Sequence, residues 1–328
     1  MILTRTPLRV SFCGGGSDIG SFYTKHGGCV VSTTIDKYVY LSLQKMFNAE
    51  YTLLKYSASE NVSSIDQIKH PIFRESLKKY GLESLELTSM ADVPAGTGLG
   101  SSSSFTVGLT NLLRTYVGQS SSSKELAEEA CDMEINRLNE PIGKQDQYAA
   151  AYGGLNMYRF EKDGSVEVSP VRLSDSKKKE LNDNLIMFYT GKSRSASQVL
   201  EEQKKNISQG LAESNQIKMC KLAEEMYDCL NKDDIQSFGN LLDDGWKLKK
   251  TLASGISNPD LDAMYDVAMD NGAFGGKLLG AGGGGFMLFY TPADAQDKII
   301  SAMSNYKKMP MRFENSGSMV VYNDYVRR

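Results

Sequence analysis

Histidine is almost missing from this chain, which has only His26 and His70 in 328 residues. A histidine-rich metal centre is therefore excluded, and both rings are expected on the surface or in packing contacts. The five cysteines (Cys13, Cys29, Cys131, Cys220, Cys229) form an odd set without a C-x-x-C pair. That argues against a disulfide framework or a structural zinc site and fits a reducing compartment. No run of about 18 apolar residues occurs, so no membrane-spanning helix is expected. Met1-Ile2-Leu3-Thr4-Arg5 reaches a charge before an apolar export signal can form. A basic excess is also lacking: 37 Lys and Arg stand against 40 Asp and Glu, a formal net charge of −3. Dedicated binders of nucleic acid or anionic membranes need the opposite balance. The cytoplasm is the expected location. The runs Lys177-Lys178-Lys179 and Lys249-Lys250 lie beside acids and read as solvated helix faces.

What is present is an ordinary globular composition, 41% hydrophobic and 23% charged, which excludes wholesale disorder. The length suits two domains, with a boundary expected near residues 165–180, drawn as 1–170 and 171–328. Glycine stands out, with thirty residues, many of them clustered. Leu8-Arg9-Val10-Ser11-Phe12 alternates like a strand and breaks at Gly14-Gly15-Gly16, and a β-branched run follows Gly27-Gly28. Residues 61–80 read as a polar, peripheral helix. The short strand 85–89 leads into a second glycine loop at Pro94–Gly100. Helical spacing runs from Ser101 to Val117, and a capping box, Ser122-x-x-Glu125, opens a helix reaching about Asn139. A short helix over 145–152 ends at Gly153-Gly154, and 155–160 pairs with 166–171 across Asp163-Gly164. The C-terminal half predicts a buried strand at 184–189, helices over 195–253 and 260–270, and a third glycine cluster at Gly280–Gly285. The strand 286–290, a helix over 293–306 and a strand at 319–322 follow.

Two phosphate motifs fail on inspection. Gly191-Lys192-Ser193 has the tail of a Walker A loop, but Ile186 occupies its first glycine position. Gly280–Gly285 satisfies G-x-G-x-x-G but precedes a strand instead of opening a helix. Pro94-Ala95-Gly96-Thr97-Gly98-Leu99-Gly100-Ser101-Ser102-Ser103-Ser104 is more informative. Its alternating glycines let the backbone approach a ligand, and its serines open a helix whose first N–H groups lack helical partners. That combination is a phosphate cradle; capping alone needs one serine. On the helix after Ser122, Glu134 falls within an apolar arc, where a carboxylate must be paired or bound to metal. A salt bridge and a Mg²⁺ ligand both fit, and the phosphate cradle favours the second. Asp146 opens the short helix after a Pro/Gly loop, and Lys144 beside it is a candidate phosphate contact.

Three segments resemble, in order, the motifs of the GHMP kinases, the superfamily of galactokinases, homoserine kinases, mevalonate kinases and phosphomevalonate kinases. They are Arg5–Val10 with Gly14-Gly15-Gly16-Ser17-Asp18, then Pro94–Ser104, then Lys277–Gly285. Arg9–Asp18, Gly143–Ala150 and Phe188–Arg194 look closer still to the members that act on a heptose 7-phosphate. The resemblance implies a two-domain α+β fold, with an N-terminal domain like ribosomal S5 domain 2 and a ferredoxin-like C-terminal domain. ATP and Mg²⁺ would bind between them. It implies that Pro94, Gly96, Gly98, Leu99, Gly100, Ser101, Ser102 and Ser103 wrap the ATP phosphates, and that Ser102 and Glu134 hold Mg²⁺. Asp146 would face the acceptor hydroxyl with Arg9 beside it. Asp18, in one loop with Gly15, Gly16 and Ser17, would hold sugar hydroxyls, and the third glycine cluster would buttress the phosphate loop. The Glu-His that precedes this acid in galactokinases is replaced here by glycines, which weakens a galactose assignment. The implied reaction is transfer of the γ-phosphoryl group to an anomeric hydroxyl. Alternatives are an unphosphorylated hexose, as in fucokinases, and a sensor that binds without turnover. Lys192 and Arg194, between a strand and a helix, are expected either to meet the acceptor's own phosphate or to form a solvated turn. The expected partners are a sugar phosphate and ATP, with no nucleic acid and no membrane; a homodimer is an admissible assembly.

Overall fold

The computed structural model describes residues 1–47, 50–192, 197–210 and 212–325. The chain opens with β1 (Ile2–Cys13), α1 (Gly20–His26) and the long β2 (Gly28–Lys45), followed by β3 (Thr52–Lys55), β4 (Ser59–Val62), α2 (Pro71–Tyr80) and β5 (Leu85–Ala91). Then come α3 (Ser101–Tyr116), α4 (Ser123–Cys131), α5 (Gln145–Tyr152), β6 (Leu155–Phe160) and β7 (Val166–Pro170). The second half comprises α6 (Asp175–Asp183), β8 (Leu185–Tyr189), α7 (Ser197–Ser208), α8 (Glu213–Leu230), α9 (Gln236–Lys250) and α10 (Pro259–Asp270). It ends with β9 (Gly275–Leu278), β10 (Phe286–Tyr290), α11 (Ala293–Ala302), β11 (Lys307–Lys308), β12 (Phe313–Glu314) and β13 (Met319–Asn323).

These elements make two sheets with helices against them, an α+β architecture. The larger runs β13-β1-β2-β5-β3-β4, with β6 and β12 also paired to β2 and β7 to β6; the smaller runs β11-β8-β10-β9. β12 and β13 return to the first sheet, so a division at residue 170 leaves these two strands across its line. Pro7 has no N–H to donate, and the β1–β2 ladder shifts register between Pro7 and Leu8. Helix α3 lies directly on β1: a methyl on Gly108 would stand 2.7 Å from Thr6 Oγ1. Phe105, Leu109 and Leu112 of α3 are buried while Tyr116 is half-buried, and Ser103, Ser104, Thr106, Thr110 and Asn111 are buried too. It is a central helix covered on most sides, not a half-exposed one. One core cluster joins both halves of the chain, with Phe12 edge-on to Phe238 at 5.0 Å.

Several expectations need correction. Residues 61–80 are not one peripheral helix, because the helix begins only at Pro71, which is suited to a first helical position. Its Ile72, Phe73 and Leu77 are buried, and Phe73 meets Phe105 edge-on at 5.0 Å. Among the described residues the stretch 195–253 contains three helices, broken near Gly210 and at 231–235, where Asp233 takes a positive φ of 58°. The capping box forms as predicted: Ser122 accepts from Glu125 N and the Glu125 carboxylate accepts in return. Beyond Cys131, however, the backbone passes into a π-turn over Asp132–Arg137. Among the described residues no helix is long and apolar enough to cross a membrane.

Candidate active site

A cavity of about 340 Å³ opens where the end of β1, the loop before α3, the start of α5 and the third glycine cluster converge. Gly96, Gly98 and Gly100 take left-handed φ values of 75°, 84° and 72°, as the alternating glycines require. Gly100 is the N-cap of α3, and among the described residues no side chain caps that helix. The serines therefore follow the cap instead of serving as it, leaving the first amides and the dipole end toward the cavity. Gly98 and Gly280 pack backbone against backbone, so the third glycine cluster touches the loop before α3 directly.

Arg9 reaches into the cavity from β1. Its Nε and Nη2 donate to Asp146 Oδ1 and Oδ2, each at 2.8 Å, and Nη1 donates to the Gly98 carbonyl at 2.5 Å. Its backbone N–H also bonds the Leu99 carbonyl at 3.0 Å. Only 4% of Arg9 is exposed, so this two-pronged pair is largely shielded from water, where charge-assisted bonds are strongest. One side chain thus fixes both the carboxylate and the loop that faces it.

Glu134 sits in the π-turn, a distortion that often marks functional positions. It accepts from Ser102 Oγ at 3.1 Å and from Gln147 Nε2 at 2.6 Å, and the Ser103 hydroxyl bonds it too. Burial pushes its carboxyl up to about 7 against those hydrogen bonds, and the Asp146 charge adds to the rise. Among the described residues no Lys or Arg forms an ion pair with it. A buried carboxylate met only by hydroxyls and an amide, beside the uncapped start of α3, is a donor set of hard oxygens that fits Mg²⁺. No group of three acids, histidines or cysteines gathers among the described residues, so protein oxygens alone would not complete an octahedral shell.

Asp18 lines the same cavity and is 4% exposed. Its Oδ1 accepts from Gly16 N at 3.0 Å and its Oδ2 from Gln145 N at 3.1 Å. Burial raises its carboxyl above the usual range, with Asp146 contributing in the same direction and these N–H groups opposing. Gly143 admits this carboxylate, because a methyl there would overlap it.

Of the residues singled out in the sequence, Arg9, Gly15, Gly16, Asp18, Gly96, Gly98, Gly100, Ser101, Ser102, Ser103, Glu134 and Asp146 line this one cavity. Pro94, Leu99 and Ser17 do not. Leu99 is buried in the core, and Ser17 Oγ bonds the Cys29 backbone at 3.0 Å, closing the loop from behind. Lys192 is exposed and pairs with Asp260 at 2.6 Å, and Arg194 lies outside the described residues. Lys144 points away from the cavity, to the Gly164 carbonyl at 2.5 Å.

Two cavity lysines escaped the sequence reading. Lys249, read as part of a solvated face, is 6% exposed and donates to the Gly280 carbonyl. Burial drives its ammonium well below the ordinary range, and Lys277 and Arg9 repel it further. Lys277 donates to the Phe12 carbonyl at 2.7 Å, and burial lowers it to about 8. Its position at the head of the third motif was the available signal. Ser11, Gln145 and Gln203 also line the cavity, and nothing in their spacing marked them.

Residues 68–154 match the GHMP kinases N terminal domain, and residues 226–308 match the GHMP kinases C terminal domain. The chain belongs to the GHMP kinases. A D-glycero-alpha-D-manno-heptose 7-phosphate kinase of Campylobacter jejuni is 32% identical, over 92% of this chain and 93% of that protein. An L-fucokinase/L-fucose-1-P guanylyltransferase of Bacteroides fragilis is 27% identical over 90% of this chain, which spans only 35% of that larger protein. Among solved structures, a D-glycero-D-manno-heptose 1-phosphate kinase from Bacteriodes thetaiotaomicron superposes with a TM-score of 0.82 at 25% identity, covering 99% of this chain and 100% of its own. A putative sugar kinase from Campylobacter jejuni gives 0.76 at 28% identity, with 98% of each chain covered. The GHMP kinase fold therefore runs through essentially the whole chain.

Proposed function

We propose that this GHMP kinase moves the γ-phosphoryl group of ATP to the anomeric hydroxyl of D-glycero-α-D-manno-heptose 7-phosphate. The product is the 1,7-bisphosphate, a step toward GDP-heptose in the cytoplasm. One observation carries the reading: the Arg9–Asp146 pair shares a cavity with the uncapped start of α3 and with Asp18. A carboxylate for an incoming alcohol, a cradle for phosphates and an acid for sugar hydroxyls thus converge. The Campylobacter relative supports the choice of sugar.

In the proposed reaction the anomeric oxygen attacks the γ-phosphorus in line, the bond to the ADP oxygen breaks, and the hydroxyl proton passes to Asp146. Such transfer depends mostly on positioning and charge stabilisation. Arg9 holds Asp146 with both carboxylate oxygens engaged and anchors the Gly98 carbonyl. The α3 amides, Ser101 and Ser103 bind phosphate oxygens, and Asp18 orients the sugar. Ser102 and Glu134 would hold Mg²⁺, which supplies charge neutralisation to the phosphates when bound.

The direct test is incubation with ATP, Mg²⁺ and a panel of free and phosphorylated sugars, followed by mass and ³¹P spectra. A new anomeric phosphate on heptose 7-phosphate is the expected result. Turnover of L-fucose alone would assign a different acceptor, and sugar binding without any phosphoryl transfer would make the chain a sensor.

A further inference from the structure

We propose that Ser11 and Gln145 form a polar subsite for one hydroxyl of the acceptor sugar, beside the hydroxyl that Asp146 serves. This rests on the sugar-kinase reading above and deepens it. Residues two apart on a strand share a face, so Ser11 follows Arg9 toward the cavity, while Gln145 and Asp146 are consecutive on the first turn of α5. Arg9 takes Asp146. Ser11 and Gln145 face the same cavity without a comparable bond. Ser11 Oγ and Gln145 Oε1 are both buried, and neither has a hydrogen-bond partner among the described residues. Ser11 is only 5% exposed. Two orphaned polar atoms on residues lining one cavity are uncommon in a folded protein and call for a ligand.

The chemistry of the pair selects that ligand. A serine hydroxyl donates or accepts, whereas an amide oxygen only accepts. A phosphate oxygen, which only accepts, leaves Gln145 Oε1 unsatisfied. A sugar hydroxyl satisfies both, accepting from Ser11 and donating to Gln145. Gly15 keeps the room open. A methyl on it would lie 3.7 Å from Ser11 Oγ and 3.8 Å from Gln145 Nε2, in ordinary contact with both. Its φ is not left-handed, so the backbone does not require glycine there, and space is what its absent side chain provides. With Asp18 also on this wall, the subsite would read a hydroxyl between the reacting one and those held by Asp18.

The test compares wild type, Ser11→Ala and Gly15→Ala with whichever sugar the enzyme turns over and with single-deoxy analogues of it. Ser11→Ala is expected to raise the sugar KM about fivefold, the range of one neutral hydrogen bond, with the ATP KM unchanged. That penalty should vanish for the one analogue that lacks the matching hydroxyl. Gly15→Ala should raise the sugar KM at least as much by crowding Ser11 Oγ and the Gln145 amide group. An equal Ser11→Ala penalty for every analogue, or a matching rise in the ATP KM, overturns the subsite. Melting temperature supplies the second readout. Removing an orphaned hydroxyl should leave it unchanged, and a fall of several degrees would reveal a structural partner instead. If heptose 7-phosphate is not a substrate but another sugar is, the acceptor assignment fails while the subsite is still tested on that sugar.

Discussion

Gly280 is pressed against Gly98: a methyl group built on Gly280 would overlap the Cα of Gly98 and stand 3.1 Å from its carbonyl oxygen. Gly98 is also the residue whose carbonyl Arg9 holds. Gly280→Ala should therefore push the phosphate loop out of place, and its φ of 77° adds backbone strain. We expect the ATP KM to rise at least tenfold with far-ultraviolet circular dichroism unchanged. A value within twofold of wild type would show that the loop does not depend on this contact.

Asp146 is engaged by Arg9 through both oxygens. Replacing it by Asn preserves the shape and removes the proposed base. Steady-state kinetics should show kcat falling by roughly 10²–10⁴-fold, much more than the ATP KM rises. An Asp146→Asn enzyme with near-full turnover would refute the assigned role.

Gly143 offers a purely steric probe of the Asp18 wall. Its φ is not left-handed, yet an added methyl would overlap the Asp18 carboxylate. Gly143→Ala should turn Asp18 out of the site and raise the sugar KM by about an order of magnitude, as expected when a hydrogen bond involving a charged group is lost. Calorimetric titration with ATP alone should give wild-type affinity. Weakened ATP binding would mean that the loop, and not the sugar wall, had moved.

Lys277 predicts a pH effect of definite sign. Its folded value, about 8, lies below the ordinary 10.5 because burial disfavours the ammonium. Above 10.5 the neutral amine is present in both states and this penalty is absent. As pH falls from 10.5 through 8, the unfolded chain binds the proton first and stability is lost, on the order of 3 kcal/mol in total. Lys277→Met abolishes that dependence. Its melting temperature relative to wild type should be highest near pH 7 and decline by pH 10. A constant difference across the range would contradict the sign.

Lys192 spends its charge on Asp260 at the surface, which leaves Arg194 to carry the expectation of a contact to the acceptor's own phosphate. Arg194→Ala is expected to raise the KM for the sugar phosphate severalfold and spare ATP. Equal effects on both substrates would count against that contact.

The parts of the site legible in the sequence are those written in contiguous residues. Alternating glycines before four serines declare a tight loop and a helix start, and both are there. Glu134 was marked by its place on an apolar arc, but the π-turn that carries it was hidden. A shift of backbone hydrogen bonds by one residue barely disturbs side-chain spacing. Lys249 was misread because a lysine pair at a helix end looks solvated. Its burial is decided by the Gly280 carbonyl, 31 residues away. The helix at 71–80 appeared peripheral because its charged face dominates the composition, while Phe73 finds its partner in Phe105, on another element. Strands as short as 307–308 and 313–314 have no period of their own and exist only through the strands they border.

β13 pairs with the first residues of β1, Ile2–Arg5, and β1 carries Arg9 a few positions later. A ribosome therefore releases one flank of that strand hundreds of residues before the segment that covers it. Until residues 319–323 emerge, the edge stays open to any other extended chain. Nascent molecules thus expose that flank during synthesis, and the segment that covers it lies at the far end of the sequence from Arg9, whose strand it completes.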